Sequence, residues 1–241
     1  MSLAVQNVEK GYGGRKVLQK VSFTVQPNEF ICILGHSGCG KSTLLNLIAG
    51  FLQPDSGSIT VNGENVKGPS KARSVVFQEH ALFPWYNIVD NVAFGPVVQG
   101  KGKAAARETA MKYLRLVGLE DVAESMPDQL SGGMKQRVGI ARALASGPDI
   151  LLMDEPFGAL DVLTREMMQK ELLRIWLELK PSVLFITHSI SEAVYLADRI
   201  LVMKNGEVAE VFEVSMNRPR SNALPEFAQL VQRIQSVLTL E

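Results

Sequence analysis

Residues 30–50, FICILGHSGCGKSTLLNLIAG, decide the fold. The apolar run Phe30 to Leu34 has the length of a buried strand, and Gly35 to Gly40 is a glycine-rich turn. Lys41-Ser42-Thr43 then opens an apolar pattern with helical spacing. Gly35, four residues, Gly40, Lys41 and Ser42 fit the Walker A pattern of a phosphate loop, which needs backbone N–H groups close enough to wrap a polyphosphate. Glycine permits that approach because it has no Cβ and tolerates positive φ. The helix starting near Lys41 turns its unpaired N–H groups and the positive end of its dipole toward the same phosphates. Gly35, His36, Ser37, Gly38, Cys39, Gly40, Lys41, Ser42 and Thr43 are therefore the candidate nucleotide-binding set. Lys41 would neutralise the β- and γ-phosphates, and the Ser42 hydroxyl would ligate Mg²⁺. The alternative is a strand-to-helix turn that binds nothing.

Outward from this stretch, 241 residues suffice for one large α/β unit with two lobes. Lys plus Arg and Asp plus Glu are 25 each, so no net charge steers the protein to nucleic acid and no such partner is expected. The longest apolar runs, such as Val183 to Ile186, are far too short to span a bilayer. The start MSLAVQNVEKGYGG lacks a basic segment followed by a long apolar core, so no secretory signal is expected. Cys32, in the strand, and Cys39, in the loop, do not form a disulfide framework, which fits a reducing compartment. Cys39 lies at a helix N-terminus, where thiolates are favoured.

Leu3 to Val8 and Val21 to Val25 alternate apolar and polar, with a glycine turn at residues 11–14 between them. Ser58 to Val61 enters an Asn62-Gly63 turn, and Ser74 to Phe77 is a further short strand. From 87 to 146 the chain reads as a helical insertion. It includes a segment rich in helix formers that ends at Gly118, then a helix Gly132 to Ala145 behind Ser131 as N-cap. Strands Ile150 to Met153, Val183 to Ile186 and Ile200 to Val202 alternate with helices Val162 to Leu179 and Glu192 to Asp198. That alternation predicts a parallel sheet covered on both faces, with the phosphate loop at the strands' carboxyl ends. After Arg218-Pro219-Arg220, a short amphipathic helix reads as a surface element closing the domain.

Asp154 and Glu155 follow the strand Ile150 to Met153, where a Walker B carboxylate meets the Mg²⁺ held by Ser42. Asp154 would hold the metal and Glu155 would polarise the attacking water. Leu130-Ser131-Gly132-Gly133-Met134 places a serine cap and two glycines at a helix start, a second anion site that one chain does not need for one nucleotide.

With these motifs the chain, from about Leu3 to Phe212, resembles the ATP-binding subunit of an ATP-binding-cassette (ABC) transporter. The resemblance implies a P-loop NTPase (RecA-like) core, residues 1–86 and 147–213, with an antiparallel β edge subdomain. It also implies a helical insertion, 87–146, and a tail, 214–241. In that family the signature motif, here Ser131, Gly132 and Gly133, reaches across a head-to-tail dimer to the nucleotide of a second copy or a related ATPase subunit.

The other family motifs follow in order. Tyr12, alone an ordinary turn residue, resembles the aromatic that stacks on adenine. Gln78 resembles the Q-loop glutamine that contacts Mg²⁺ and the attacking water. Asp161, in Ala159-Leu160-Asp161, resembles the D-loop aspartate through which the subunits sense each other, and His188 resembles the switch histidine at the γ-phosphate. His36 and His80 have no such claim.

Met134, where glutamine is usual, together with Phe77-Gln78-Glu79, Leu82 to Trp85, Asn91 to Gly95, Met126 to Gln129 and Arg218-Pro219-Arg220, is similar to the nitrate, sulfonate and taurine importer branch. That implies ATP and Mg²⁺ as ligands and two transmembrane permease subunits as partners. A solute-binding protein would act indirectly, and the chain would lie on the cytoplasmic face of the inner membrane. A soluble ABC ATPase acting on nucleic acid or ribosomes, or a phosphate-loop kinase outside the family, are the alternatives. The first would need a long coiled-coil insertion or a second cassette, and the second leaves Ser131-Gly132-Gly133, Gln78 and His188 without a reason.

Overall fold

The computed structural model describes residues 2–78 and 81–239. Glu79 of the 77–79 motif and His80 lie outside the described residues, as do the last two of the expected tail, Leu240 and Glu241. Packing divides the chain into two compact units, one of residues 1–70, 152–155 and 181–241, the other of residues 71–151 and 156–180.

The first unit holds an antiparallel sheet of β1 (Leu3–Tyr12), β2 (Arg15–Val25), β4 (Ser56–Val61) and β5 (Glu64–Asn65), in the order β2-β1-β4-β5. β1 and β2 run further than their alternating stretches, to a tight turn at Gly13 and Gly14 with φ of 55° and 83°. Register shifts between Val5 and Gly11, with Asn7 at φ 48°, break the period of two and hid the second half of β1 from the sequence pattern.

A second sheet centres on β3 (Phe30–Leu34), every residue of which is buried. β3 pairs in parallel with β8 (Ser182–Thr187) and with β9 (Arg199–Lys204), and β10 (Glu207–Glu213) closes the edge antiparallel to β9. On the other side of β8 lies β7 (Ile150–Asp154), whose last three residues belong to this unit. The near-continuous apolar β3 and β8 are what a strand covered on both faces requires.

α1 (Lys41–Ala49), α6 (Ile190–Leu196) and α7 (Pro225–Thr239) complete the unit. α7 buries Phe227, Leu230 and Ile234 and packs on α6, β9 and β10. Ahead of it, buried Arg220 donates to the carbonyls of Val194, Tyr195, Ala197, Val214 and Met216, tying the tail to the end of α6. Burial lowers its pKa to about 10.

The second unit has β6 (Arg73–Val76) beside the start of β7, where the N–H groups of Asp149 and Ile150 donate to Ala72 O. It also has α2 (Ile88–Val98), α3 (Lys103–Leu116), α4 (Gly132–Ala145) and α5 (Val162–Leu179). α2 and α4 approach closely at Gly95, where an added Cβ would sit 2.2 Å from Ser146 Oγ. Asn91, 0% exposed, accepts from Phe83 N and donates to the carbonyls of Phe83, Tyr86 and Asn87, so one amide holds residues 83–87 ahead of α2.

The helix expected over Glu192 to Asp198 begins two residues earlier because Ser189 caps it, and Asp198 leaves it to accept from Phe30 N and Arg218. β10 was missed, although Asn205-Gly206, φ 49° and 83°, forms the tight turn that leads into it. Among the described residues no helix is long and apolar enough to cross a membrane.

Candidate functional site

The phosphate loop leaves β3 at Gly35, where an added Cβ would lie 2.5 Å from Met203 O and 2.6 Å from Cys39 Sγ. It enters α1 at Gly40, φ 104°, where a Cβ would meet Leu18 Cδ2 at 2.6 Å. Neither position has room for a side chain. α1 has no side-chain cap and no acidic residue in its first turn, so its leading N–H groups are left for an outside acceptor. Lys41 is 5% exposed, and its Nζ donates to Gly35 O (2.8 Å) and His36 O (3.1 Å), which holds the amino group against the loop. His36, Ser37 and Gly38 are exposed, Thr43 is half-buried, and Cys39 is buried. Burial pushes the Cys39 thiol up, outweighing the lowering by Lys41, so the thiolate expected from its place at a helix N-terminus is not favoured.

Two carboxylates at the end of β7 face this loop. The Ser42 hydroxyl donates to Asp154 Oδ1 at 3.2 Å. Burial raises the Asp154 pKa above the usual carboxylate range, with the Ser42 hydrogen bond and Lys41 working against it. Glu155, at φ 42°, is anchored by its own N–H to Ile186 O (3.0 Å). Its Oε1 lies 3.7 Å from Lys41 Nζ and its Oε2 lies 2.8 Å from His188 Nδ1. Lys41, Ser42, Asp154, Glu155 and His188 thus form one cluster at the carboxyl ends of β3, β7 and β8.

A cavity of about 550 Å³ adjoins the loop, lined by residues 15–17, Gln19, 36–39 and 203–206, a size in the range of small-molecule sites. Tyr12, 49% exposed, stands at the β1–β2 turn with Lys10 Nζ 5.8 Å from its ring centre. At the rim, the end of α7 meets the loop: His36 Nε2 is 3.4 Å from Leu238 O, and Lys204 Nζ donates to Val237 O at 3.2 Å.

The second unit carries Gln78, Ser131 to Gly133 and Asp161. Gln78 is exposed just after β6. Ser131 Oγ accepts from Met134 N (3.4 Å) at the start of α4, and Asp161 accepts from Thr164 N (3.0 Å) at the start of α5. The Thr164 hydrogen bond holds the Asp161 carboxyl below its ordinary pKa. The two helix starts adjoin, since a Cβ on Gly133 would lie 3.0 Å from Thr164 Cγ2. Arg165 donates to Phe157 O and Leu160 O, fixing the loop that leads to Asp161.

The uncapped N-terminus of α1 and the buried Lys41 fit a polyphosphate. Among the described residues no group of three or more His, Cys, Asp and Glu could hold a metal. The Ser42–Asp154 pair offers instead two hard oxygen donors, the small protein share that a Mg²⁺ ion bound mainly by phosphate oxygens and water uses.

A profile of the ABC transporter family matches residues 18–158. The chain belongs to the ABC transporter family. Its relatives include the nitrate import ATP-binding protein NrtD of Synechococcus elongatus, 49% identical over 88% of this chain and 81% of the relative. The bicarbonate transport ATP-binding protein CmpD of Synechocystis sp. is 48% identical over 90% of this chain and 80% of the relative. Among solved structures, the ATP-binding cassette MJ0796, described as a dimer in a post-hydrolysis state bound to ADP and Pi, superposes with a TM-score of 0.77. It is 32% identical, over 89% of this chain and all of that one.

The ABC subunit thus has the α/β, P-loop NTPase fold expected from its sequence, and it is an ATP-binding, ATP-hydrolysing protein whose hydrolysis is coupled to transport. Relatives named for nitrate import and bicarbonate transport match the importer-branch resemblance. Two buried side chains at the site carried no functional assignment from the sequence, Thr187 and Glu192; the Ser189-x-x-Glu192 spacing marks a helix cap but not their pairing.

Proposed function

We propose that this cassette powers uptake of a small, anionic solute of the nitrate, sulfonate or taurine kind through two separate membrane permease subunits, with a solute-binding protein delivering the solute. It works as a head-to-tail pair with a second copy or a related ATPase subunit, held peripherally at the cytoplasmic face of the inner membrane. The names of NrtD and CmpD support an anion importer, and the dimeric MJ0796 cassette supports the pair.

The observation that carries the hydrolytic part of the reading is the Glu155 carboxylate, 2.8 Å from His188 and 3.7 Å from Lys41 beside the Ser42–Asp154 pair. In this assignment residues 35–43 wrap the phosphates, Lys41 neutralises the β- and γ-phosphates, and Tyr12 stacks on adenine. Glu155 takes the proton of the attacking water, and His188 contacts the γ-phosphate and orients Glu155. Ser42, Asp154 and Gln78 hold Mg²⁺, which supplies charge neutralisation on the phosphates when bound. Ser131, Gly132 and Gly133 close on the partner's nucleotide, and Asp161 senses the partner's site. The core comprises residues 1–86 and 147–213, the helical insertion 87–146, and the tail 214–241.

The test is to tag the chain, solubilise host membranes gently and identify what co-purifies. Recovery of a multi-span membrane protein, together with a solute-binding protein, supports the importer. Recovery of ribosomes or DNA-associated proteins without a membrane subunit would keep the ATPase and remove the transporter.

A further inference from the structure

Thr187, the last residue of β8, is 2% exposed, and Glu192, in the first turn of α6, is 5% exposed. The two bracket His188 in the chain. The Thr187 hydroxyl donates to Glu192 Oε2 and accepts the Ser189 N–H at 3.0 Å. A hydroxyl has one hydrogen to give. By taking it, the Glu192 carboxylate leaves a lone pair of Thr187 facing the Ser189 N–H, and the bond so formed closes directly over His188.

Ser189 Oγ in turn accepts from Glu192 N at 3.3 Å. A serine cap with glutamate three residues on ordinarily makes a reciprocal box, the carboxylate returning to the N–H of the cap residue itself. Here the Thr187 hydroxyl is inserted between carboxylate and N–H, so the cap of α6 is extended backward to the end of β8. On the other flank Ile186 O accepts from Glu155 N at 3.0 Å. The backbone is thereby pinned on both sides of His188, whose Nδ1 reaches Glu155 Oε2 at 2.8 Å.

We propose that Glu192 and Thr187 are positioning residues for hydrolysis: their hydrogen-bond chain sets the direction of the His188 imidazole toward Glu155. This rests on the hydrolytic roles proposed for Glu155 and His188. Without the chain, His188 keeps its chemistry and loses its aim, while Lys41 and the N-terminus of α1, which take no part in that chain, keep their grip on ATP.

The experiment measures ATPase turnover, ATP affinity and melting temperature of the full chain. Thr187→Val is expected to lower kcat about 10- to 100-fold with ATP affinity within about twofold of the parent, a split that misaimed chemistry produces. Thr187→Ser, which restores the hydroxyl, is expected to recover kcat. Where Thr187→Val does not fold, Glu192→Leu gives the same split, and Glu192→Gln, whose amide oxygen still accepts, spares it. His188→Ala is the reference for the loss.

If His188→Ala is inactive while Thr187→Val and Glu192→Leu turn over like the parent, change only in melting temperature, or lose kcat and affinity together, the positioning role is overturned and the hydrolytic reading stands. If His188→Ala itself turns over normally, the hydrolytic assignment of His188 falls, and the positioning role with it.

Discussion

His188 Nδ1 and Glu155 Oε2 stand 2.8 Å apart, at the ends of two neighbouring strands, and the other oxygen of the same carboxylate is turned to Lys41 at 3.7 Å. The carboxylate proposed to act on water is thus held from both sides. Its reach is set by the backbone as well, since Glu155 takes a positive φ and spends its N–H on β8.

Glu155→Gln keeps the shape of this contact and removes the proposed base. ATP hydrolysis is expected to fall by about 10²- to 10⁴-fold with ATP binding retained, so that the nucleotide-bound pair accumulates. Light scattering of the variant at saturating MgATP checks this, and a species that remains monomeric would count against a site shared between two copies.

Asp55 accepts from Lys10 Nζ at 2.6 Å and from Gly11 N at 2.8 Å, fastening the end of β1 two residues before Tyr12. The Lys10 hydrogen bond, then that of Gly11, holds the carboxyl below its ordinary pKa. A group that binds its proton less readily in the folded state stabilises that state above its unfolded pKa, and the benefit fades as pH falls through the lower folded value. Asp55→Asn is expected to lower the melting temperature at neutral pH, with the gap to the parent closing only below about pH 4 and narrowing in high salt. A gap that vanished by pH 6 would remove this pair as its source.

Cys39 is 9% exposed, and its thiol is raised by burial. Alkylation is expected to be slow, to accelerate only above the ordinary thiol pKa of about 8.5, and to be suppressed by MgATP. Mass spectrometry separates it from Cys32, which is fully buried. Equal labelling with and without nucleotide would place residue 39 outside the binding site.

Arg220→Met preserves the aliphatic stem and strips five carbonyls of their donor. Stability is expected to fall by about 3 kcal/mol, read as a lower urea midpoint at unchanged slope. Arg220→Lys is expected to recover little, because an ammonium cannot span carbonyls on two segments as the guanidinium fork does.

Where local pattern and final packing coincide, the sequence was enough. β3 is buried throughout, and α4 and α5 begin at Ser131 and Asp161, whose side chains cap them as their types require. Where the pattern was broken by geometry, it was not. The bulges of β1 put Asn7 at positive φ and shift the alternation, and exposed β10 carried too few buried residues to register beside its Asn205-Gly206 turn. The Thr187–Glu192 bond joins two residues whose types each have an ordinary local use, so only their approach in space marks them. Part of the space filled at Gly35 belongs to Met203, distant in sequence, and the Walker A pattern does not name that neighbour.

The single amide of Asn91 is matched to carbonyls at positions 83, 86 and 87 and to the N–H of Phe83. Its reach is that of one short side chain, so the loop is measured rather than merely supported. The exposed ring of Trp85 lies beside those of Phe83 and Tyr86 but takes no part in the Asn91 hydrogen bonds, so its replacement leaves those bonds in place. Adding or deleting one residue between Phe83 and Asn91 does not. In this stretch the number of residues is the quantity that the Asn91 hydrogen bonds constrain.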